Sequence, residues 1–157
     1  VAATVIGQQV SLAAARIFAS RLVSAYGNPL EDLRSFPDAA TLSQLSVDQI
    51  QQCSGLTHAR ARTLRTVSQR WADGPLLRGL SATDARTLLL GIPGVGPWTA
   101  DYLFVRALQH PDTFAPGDLV ARRALGLDKK AAAVRSQDWA PYRSYALLHL
   151  WTDAAYL

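Results

Sequence analysis

Between Leu88 and Asp118 the sequence gathers three kinds of group that can act on an anionic or aromatic partner. Gly94 and Gly96 stand in LLLGIPGVGPWTADYLFVR (88–106), where an apolar helix ends, turns and restarts at once. Glycine at both places permits left-handed backbone and close approach of a ligand, and Pro93 and Pro97 stiffen the flanks. A restarting helix offers unpaired N–H groups and a positive end. The amides of residues 94–98, those of Gly94, Val95 and Gly96 among them, are therefore expected to converge on one phosphate. An ordinary corner between two helices, with glycines that serve packing alone, carries the same pattern. Trp98 and Tyr102 lie four residues apart and share a helix face directly behind the turn, a flat surface on which a base could stack. Core aromatics show that spacing too. Asp118 follows Phe114-Ala115-Pro116-Gly117 and opens a basic helix, which suits either an N-cap or a carboxylate held for chemistry.

The elements that must position these groups read as helices throughout. Residues 1–25 carry Val5, Val10, Leu12, Ile17, Leu22 and Val23 at mainly helical spacing, predicting a long, mostly buried helix interrupted by Gly7-Gln8-Gln9. Those two amides need hydrogen-bond partners, and bracing of nearby backbone would supply them. Residues 30–56 read as short helices, one started by Pro37-Asp38 and one by the capping box Ser46-Val47-Asp48-Gln49, which Gly55 ends. Thr57 caps a helix from His58 to Trp71 with Arg60, Arg62, Arg65 and Arg70 around its outside, and Ser81 opens the next. After the turn, Pro97 takes the first helical position. Shorter helices follow at 119–125 and 129–136, and a long one at 142–156. No segment alternates as a strand does, and no repeat is visible, so the expected class is all-α with about ten helices.

Of 157 residues, 49% are apolar and 18% charged, which is the balance of a folded chain with a core. The net charge is +4, and every basic residue except Lys129 and Lys130 is arginine. Arginine pairs with phosphate in a bidentate way, which favours a nucleic-acid partner, although an arginine-rich surface also follows from a GC-rich genome. One cysteine, Cys53, excludes an internal disulfide and a four-cysteine cluster, and suits a reducing compartment. No apolar run is long enough to span a membrane. The chain begins at Val1 and holds no Met, and it reads as a piece of something longer.

The motif LLLGIPGVGPWTADYLF with Asp118 beyond it resembles the helix-hairpin-helix (HhH-GPD) DNA glycosylase superfamily. The resemblance extends from Gly7-Gln8-Gln9-Val10-Ser11 to Tyr142-Arg143-Ser144-Tyr145-Ala146-Leu147-Leu148-His149-Leu150-Trp151, an ending similar to the 3-methyladenine DNA glycosylase II (AlkA-type) branch. It implies an all-α glycosylase fold with an active-site cleft between two helical subdomains. Residues 1–157 would form that domain, without the family's N-terminal sheet-containing domain. It implies that Asp118 is the catalytic aspartate and that Trp98, Tyr102 and Trp151 line a pocket for an alkylated base. Leu119 stands where the family often has tyrosine, which would open the pocket on that side. Gln9 matches the position near the wedge that fills the gap left by a flipped base. Gln8, Ser11, Arg143 and Ser144 would join Gly94, Val95 and Gly96 in contacting DNA. Members that also cut the strand carry a lysine two residues after the second hairpin glycine; here that residue is Trp98. The implied activity is monofunctional excision of alkylated purines from double-stranded DNA by a monomer in the bacterial cytoplasm, at the nucleoid. No cofactor is implied, and no metal beyond an alkali ion that the carbonyls of Ile92 and Val95 could hold. The competing expectation is a non-catalytic DNA-anchoring module of a larger repair protein, which leaves Asp118 and the aromatic residues without a task.

Overall fold

Helix starts in the computed structural model fall where the capping residues stand; residues 1–8, 10–72, 74, 77 and 79–155 are described. Ser46 and Gln49 form a reciprocal capping box, and the side chains of Ser11, Asp38, Thr57, Ser81, Asp118 and Asp128 each accept a first-turn N–H. Each such cap is worth about 1 kcal/mol to its helix. Among the described residues there are ten α-helices: α1 (Ala2–Ile6), α2 (Leu12–Tyr26), α3 (Ala39–Gln44), α4 (Val47–Ser54), α5 (His58–Trp71), α6 (Ala82–Leu90), α7 (Pro97–Arg106), α8 (Leu119–Leu125), α9 (Lys129–Arg135) and α10 (Arg143–Ala155). A 3-10 turn covers Ser136–Trp139. The chain divides into two compact units, Val1–Val95 and Gly96–Leu157.

In the first unit α5 is the central element. Its buried residues Ala61, Leu64, Val67 and Ser68 recur at helical spacing, and α1, α3 and α4 pack on it. Arg65 ties α5 to the end of α3 through Nε donating to the Leu45 carbonyl (2.8 Å). Val5, Ile6, Leu22, Leu42, Ile50, Leu56, Leu89 and Ile92 complete an apolar core. The expected long first helix is two helices broken around Gly7, and α2 is not mostly buried. It sinks Leu22 towards α4, while Leu12 and Ile17 are 67% and 51% exposed. Periodicity identifies the apolar face of a helix and leaves open what covers it. The absence of strands is also corrected: Pro29-Leu30 pairs antiparallel with Leu33-Arg34 around Glu31, whose φ is +50°. Two residues per strand are too few to alternate visibly.

The turn that ends this unit depends on Gly94. Its φ of +87° lies in the left-handed region, and an added Cβ would collide with the Thr63 hydroxyl. Thr63 cannot easily yield, because Oγ1 is placed to donate to the carbonyls of Ala59 (3.1 Å) and Pro93 (3.1 Å). Gly96 differs from the expectation: φ is −90° with extended ψ, and nothing lies within 4 Å of an added Cβ. Gly94→Ala is expected to cost about 2–5 kcal/mol, the sum of left-handed strain and overpacking. Gly96→Ala should stay within about 0.5 kcal/mol of the unmodified chain. Urea unfolding of the two variants distinguishes them, and equal losses would contradict the assignment.

In the second unit Val105, Phe114, Ala115, Ala121, Ala132 and Leu147 form the core, and Trp98, Trp139, Leu148, Leu150 and Trp151 lean on it. Helix α10 packs along α8, and Trp139 and Phe114 meet in a T-shaped pair with centroids 5.6 Å apart.

Candidate active site

Helix α7 starts with Gly96 as N-cap and Pro97 at its first position, so its first-turn N–H groups take no side-chain cap. That is the local arrangement that suits an anion. One amide of the expected set is already used: Val95 N donates to the Ile92 carbonyl (3.0 Å), and the Val95 side chain is buried. Val95 therefore holds the turn closed. Pro97 has no N–H, so Gly94, Gly96 and Trp98 are the amides of the set that this turn leaves available. Gln8 braces the same turn, with Nε2 donating to the Gly94 carbonyl (3.1 Å). Ser11 is exposed and caps α2, its hydroxyl accepting from Ala14 N (3.2 Å). Gln9 lies outside the described residues.

One helical turn into α7, Trp98 and Tyr102 meet with ring centroids 5.4 Å apart and planes tilted by 32°. Tyr102 is also 5.5 Å from Trp151 of α10, at 40°. The three rings form one row, each only partly buried, so they are neither sealed in the core nor free on the surface. Tilted aromatic pairs of this kind add about 0.5–1.5 kcal/mol per pair beyond burial.

Asp118 lies beside that row and is 5% exposed. Its Oδ2 accepts from the Trp98 indole (Nε1, 2.7 Å), and its Oδ1 accepts from the Trp151 indole (Nε1, 3.0 Å) and from Ala121 N (2.9 Å). The N-cap role is realised through Oδ1, while Oδ2 is turned to the Trp98 indole. A carboxylate has about four lone-pair sites. Three are occupied, and the fourth, on Oδ2, can face a substrate or hold a water. Leu119, the next residue, is 53% exposed.

Arg143 and Ser144, both expected to contact DNA, take partners within the chain. Arg143 donates from Nε to Asp112 Oδ1 (2.6 Å) and from Nη2 to Asp112 Oδ2 (2.8 Å), a bidentate pair. Ser144 is buried, accepts from Thr113 N (2.9 Å), and sits within donating distance of the His110 carbonyl (2.6 Å). Its hydroxyl braces a loop and is closed to a phosphate. Spacing does not reveal these partners, since α8, α9 and the 3-10 turn lie between Asp112 and Arg143. The Arg143 fork holds the Asp112 carboxyl below the usual carboxylate range, and burial opposes it. A lowered carboxyl stabilises the fold above the unfolded value of about 3.9 and loses that contribution as pH falls through the folded value. The stability difference between the chain and Asp112→Asn should therefore shrink below about pH 4. Thermal midpoints from pH 7 to 3 check this, and a constant difference would contradict it.

Among the described residues no group of three or more His, Cys, Asp or Glu side chains is placed to hold a metal ion, and no helix is long and apolar enough to cross a membrane.

The family described as HhH-GPD superfamily base excision DNA repair protein matches residues 2–137. The probable bifunctional transcriptional activator/DNA repair enzyme AlkA of Mycobacterium tuberculosis is 39% identical over 160 residues, covering 94% of this chain and 32% of that protein. DNA-3-methyladenine glycosylase 2 of Escherichia coli is 32% identical over 152 residues, covering 94% of this chain and 54% of that protein. This chain thus spans between a third and about half of those relatives. The structure of a Schizosaccharomyces pombe 3-methyladenine DNA glycosylase in complex with abasic DNA superposes with a TM-score of 0.80 at 22% identity, covering 96% of this chain and 76% of the other. At that identity the likeness speaks to the fold.

Proposed function

The chain belongs to the HhH-GPD superfamily of base excision DNA repair proteins, and from that premise we propose that it is a monofunctional glycosylase removing alkylated purines of the 3-methyladenine type from duplex DNA. The observation that carries the reading is the Asp118 carboxylate, held by two indole N–H groups and a backbone N–H beside a row of three aromatic rings. A base must leave the helix stack before its glycosidic bond can be reached, at a cost of a few kcal/mol that falls at a damaged pair. The hairpin amides of Gly94, Gly96 and Trp98 would anchor a backbone phosphate without reading sequence. The exposed Ser11 hydroxyl can donate to another. An N3- or N7-alkylated purine is cationic, and each electron-rich ring of Trp98, Tyr102 and Trp151 would favour it by about 0.5–2 kcal/mol.

Such a base needs no strong acid to depart. The N-glycosidic bond breaks with its electron pair passing to the base, which leaves neutral, and positive charge develops on the sugar. Asp118 Oδ2 would stabilise that charge and orient the water that adds to C1′ and loses a proton. Leu119 would wall the pocket with an aliphatic side chain. An alkali ion would suit the hard carbonyl oxygens of Ile92 and Val95, one lone pair of the former being taken by Val95 N; no step depends on it. The chain would act as a monomer on nucleoid DNA in the cytoplasm.

Strand cleavage through a covalent imine needs an amine at the sugar, and Trp98 stands at the hairpin position where the resemblance places one. Incubation with methylated duplex is expected to release free base and leave the strand intact. Borohydride should trap no protein–DNA adduct; a trapped adduct would overturn the monofunctional reading.

A further inference from the structure

The loop that delivers Asp118 is fastened to α10 at two places along that helix. Near its far end, Asp118 Oδ1 accepts from Trp151. At its start, Ser144 N donates to the Pro111 carbonyl (3.0 Å), Thr113 N donates to Ser144 Oγ, and Arg143 forks onto Asp112. Between these points the chain is held by burial and by its own turn. Thr113, Phe114 and Ala115 are buried, and the turn closes when Asp118 N donates to the Ala115 carbonyl (2.9 Å). Residues 112–118 thus form a strap that spans two turns of α10 and is tied at both ends.

We propose that Asp112 and Arg143 are positioning residues for catalysis, an ionic latch that sets the loop in register with α10 so that Asp118 and Trp151 meet. The inference rests on the reading of Asp118 as the catalytic carboxylate. The latch is suited to this task because the planar guanidinium and the carboxylate match in one orientation only, and Arg143 N, 3.3 Å from Asp112 Oδ1, adds a third tie. At 27% and 23% side-chain exposure the pair is shielded, unlike the Arg135–Asp138 pair at 54% and 65%. A slipped loop would leave Asp118 present but displaced, and displacement of about 1 Å can lower a rate by roughly 100-fold.

The variants Asp112→Asn, which keeps shape and removes charge, and Arg143→Lys, which keeps charge and removes the fork, test the latch in this chain. The readouts are single-turnover base release from methylated duplex, scaled to the folded fraction measured by circular dichroism, and the affinity for the same duplex at several salt concentrations. Each variant is expected to lose about tenfold or more in rate while affinity stays within about twofold. The double variant should lose no more than the worse single one, because both changes break the same link. A rate per folded molecule equal to that of the unmodified chain would overturn the latch. A fall in affinity with a salt slope reduced by about 0.9 would also overturn it and make Arg143 a phosphate contact. Asp118→Asn assayed alongside separates the two readings. If it releases base normally, the catalytic reading fails; if it is silent and the latch variants are normal, the latch alone fails.

Discussion

Asp118→Asn is expected to lower release of alkylated purines by roughly 10³-fold or more, while duplex affinity changes by no more than about threefold. Two effects act together. The amide removes the negative charge that would face the developing positive charge of the sugar. It also replaces one acceptor oxygen with a donor, although indole or backbone N–H groups point at both positions. One N–H must then go without an acceptor, at about 1–3 kcal/mol. A modest loss of stability should accompany the loss of rate, and correcting for the folded fraction separates them. DNA affinity is spared because the hairpin contacts are made by backbone N–H groups, which the substitution leaves unchanged.

The second large effect concerns the indole N–H groups. Trp98→Phe and Trp151→Phe keep an aromatic face and remove a donor to an ionised carboxylate, an interaction worth about 1.5–3 kcal/mol. Base release should fall about 10–100-fold in each. The two are not equal. Trp98 is the one protein donor to Oδ2 among the described residues, at 2.7 Å, whereas Oδ1 keeps Ala121 N when Trp151 is lost. Trp98→Phe is therefore expected to be the slower enzyme. Alanine at either position should further weaken the preference for cationic bases over undamaged ones. Single-turnover rates for the two phenylalanine variants, with duplex affinity measured in parallel, test the ordering, and a faster Trp98→Phe would contradict it.

Local chemistry was legible in the sequence wherever it acts over a few residues. The caps at Ser46, Thr57, Ser81 and Asp118, Pro97 at the start of α7, and the left-handed Gly94 are such cases. The shared face of Trp98 and Tyr102 follows from helix geometry alone. Partners that lie far along the chain are not legible in this way. Arg143 and Ser144 begin a helix and look like surface groups until Asp112, His110 and Thr113 are brought to them by the fold. Thr63, which makes Gly94 irreplaceable, lies 31 residues away on α5 and carries no motif. Val95, between two glycines, gave no sign that its amide closes the turn and its side chain enters the core. The burial of α2 failed for the same reason, since Leu12 and Ile17 are apolar and exposed.

Hydrolysis of a glycosidic bond at this site requires that Asp118 act on it. Chromatographic measurement of free 3-methyladenine released from methylated duplex, by the unmodified chain and by Asp118→Asn in the same experiment, addresses it most directly. The predicted result is release by the former and none above background by the latter, with both bound to the duplex. Equal release by the two, or release by neither despite binding, would contradict it.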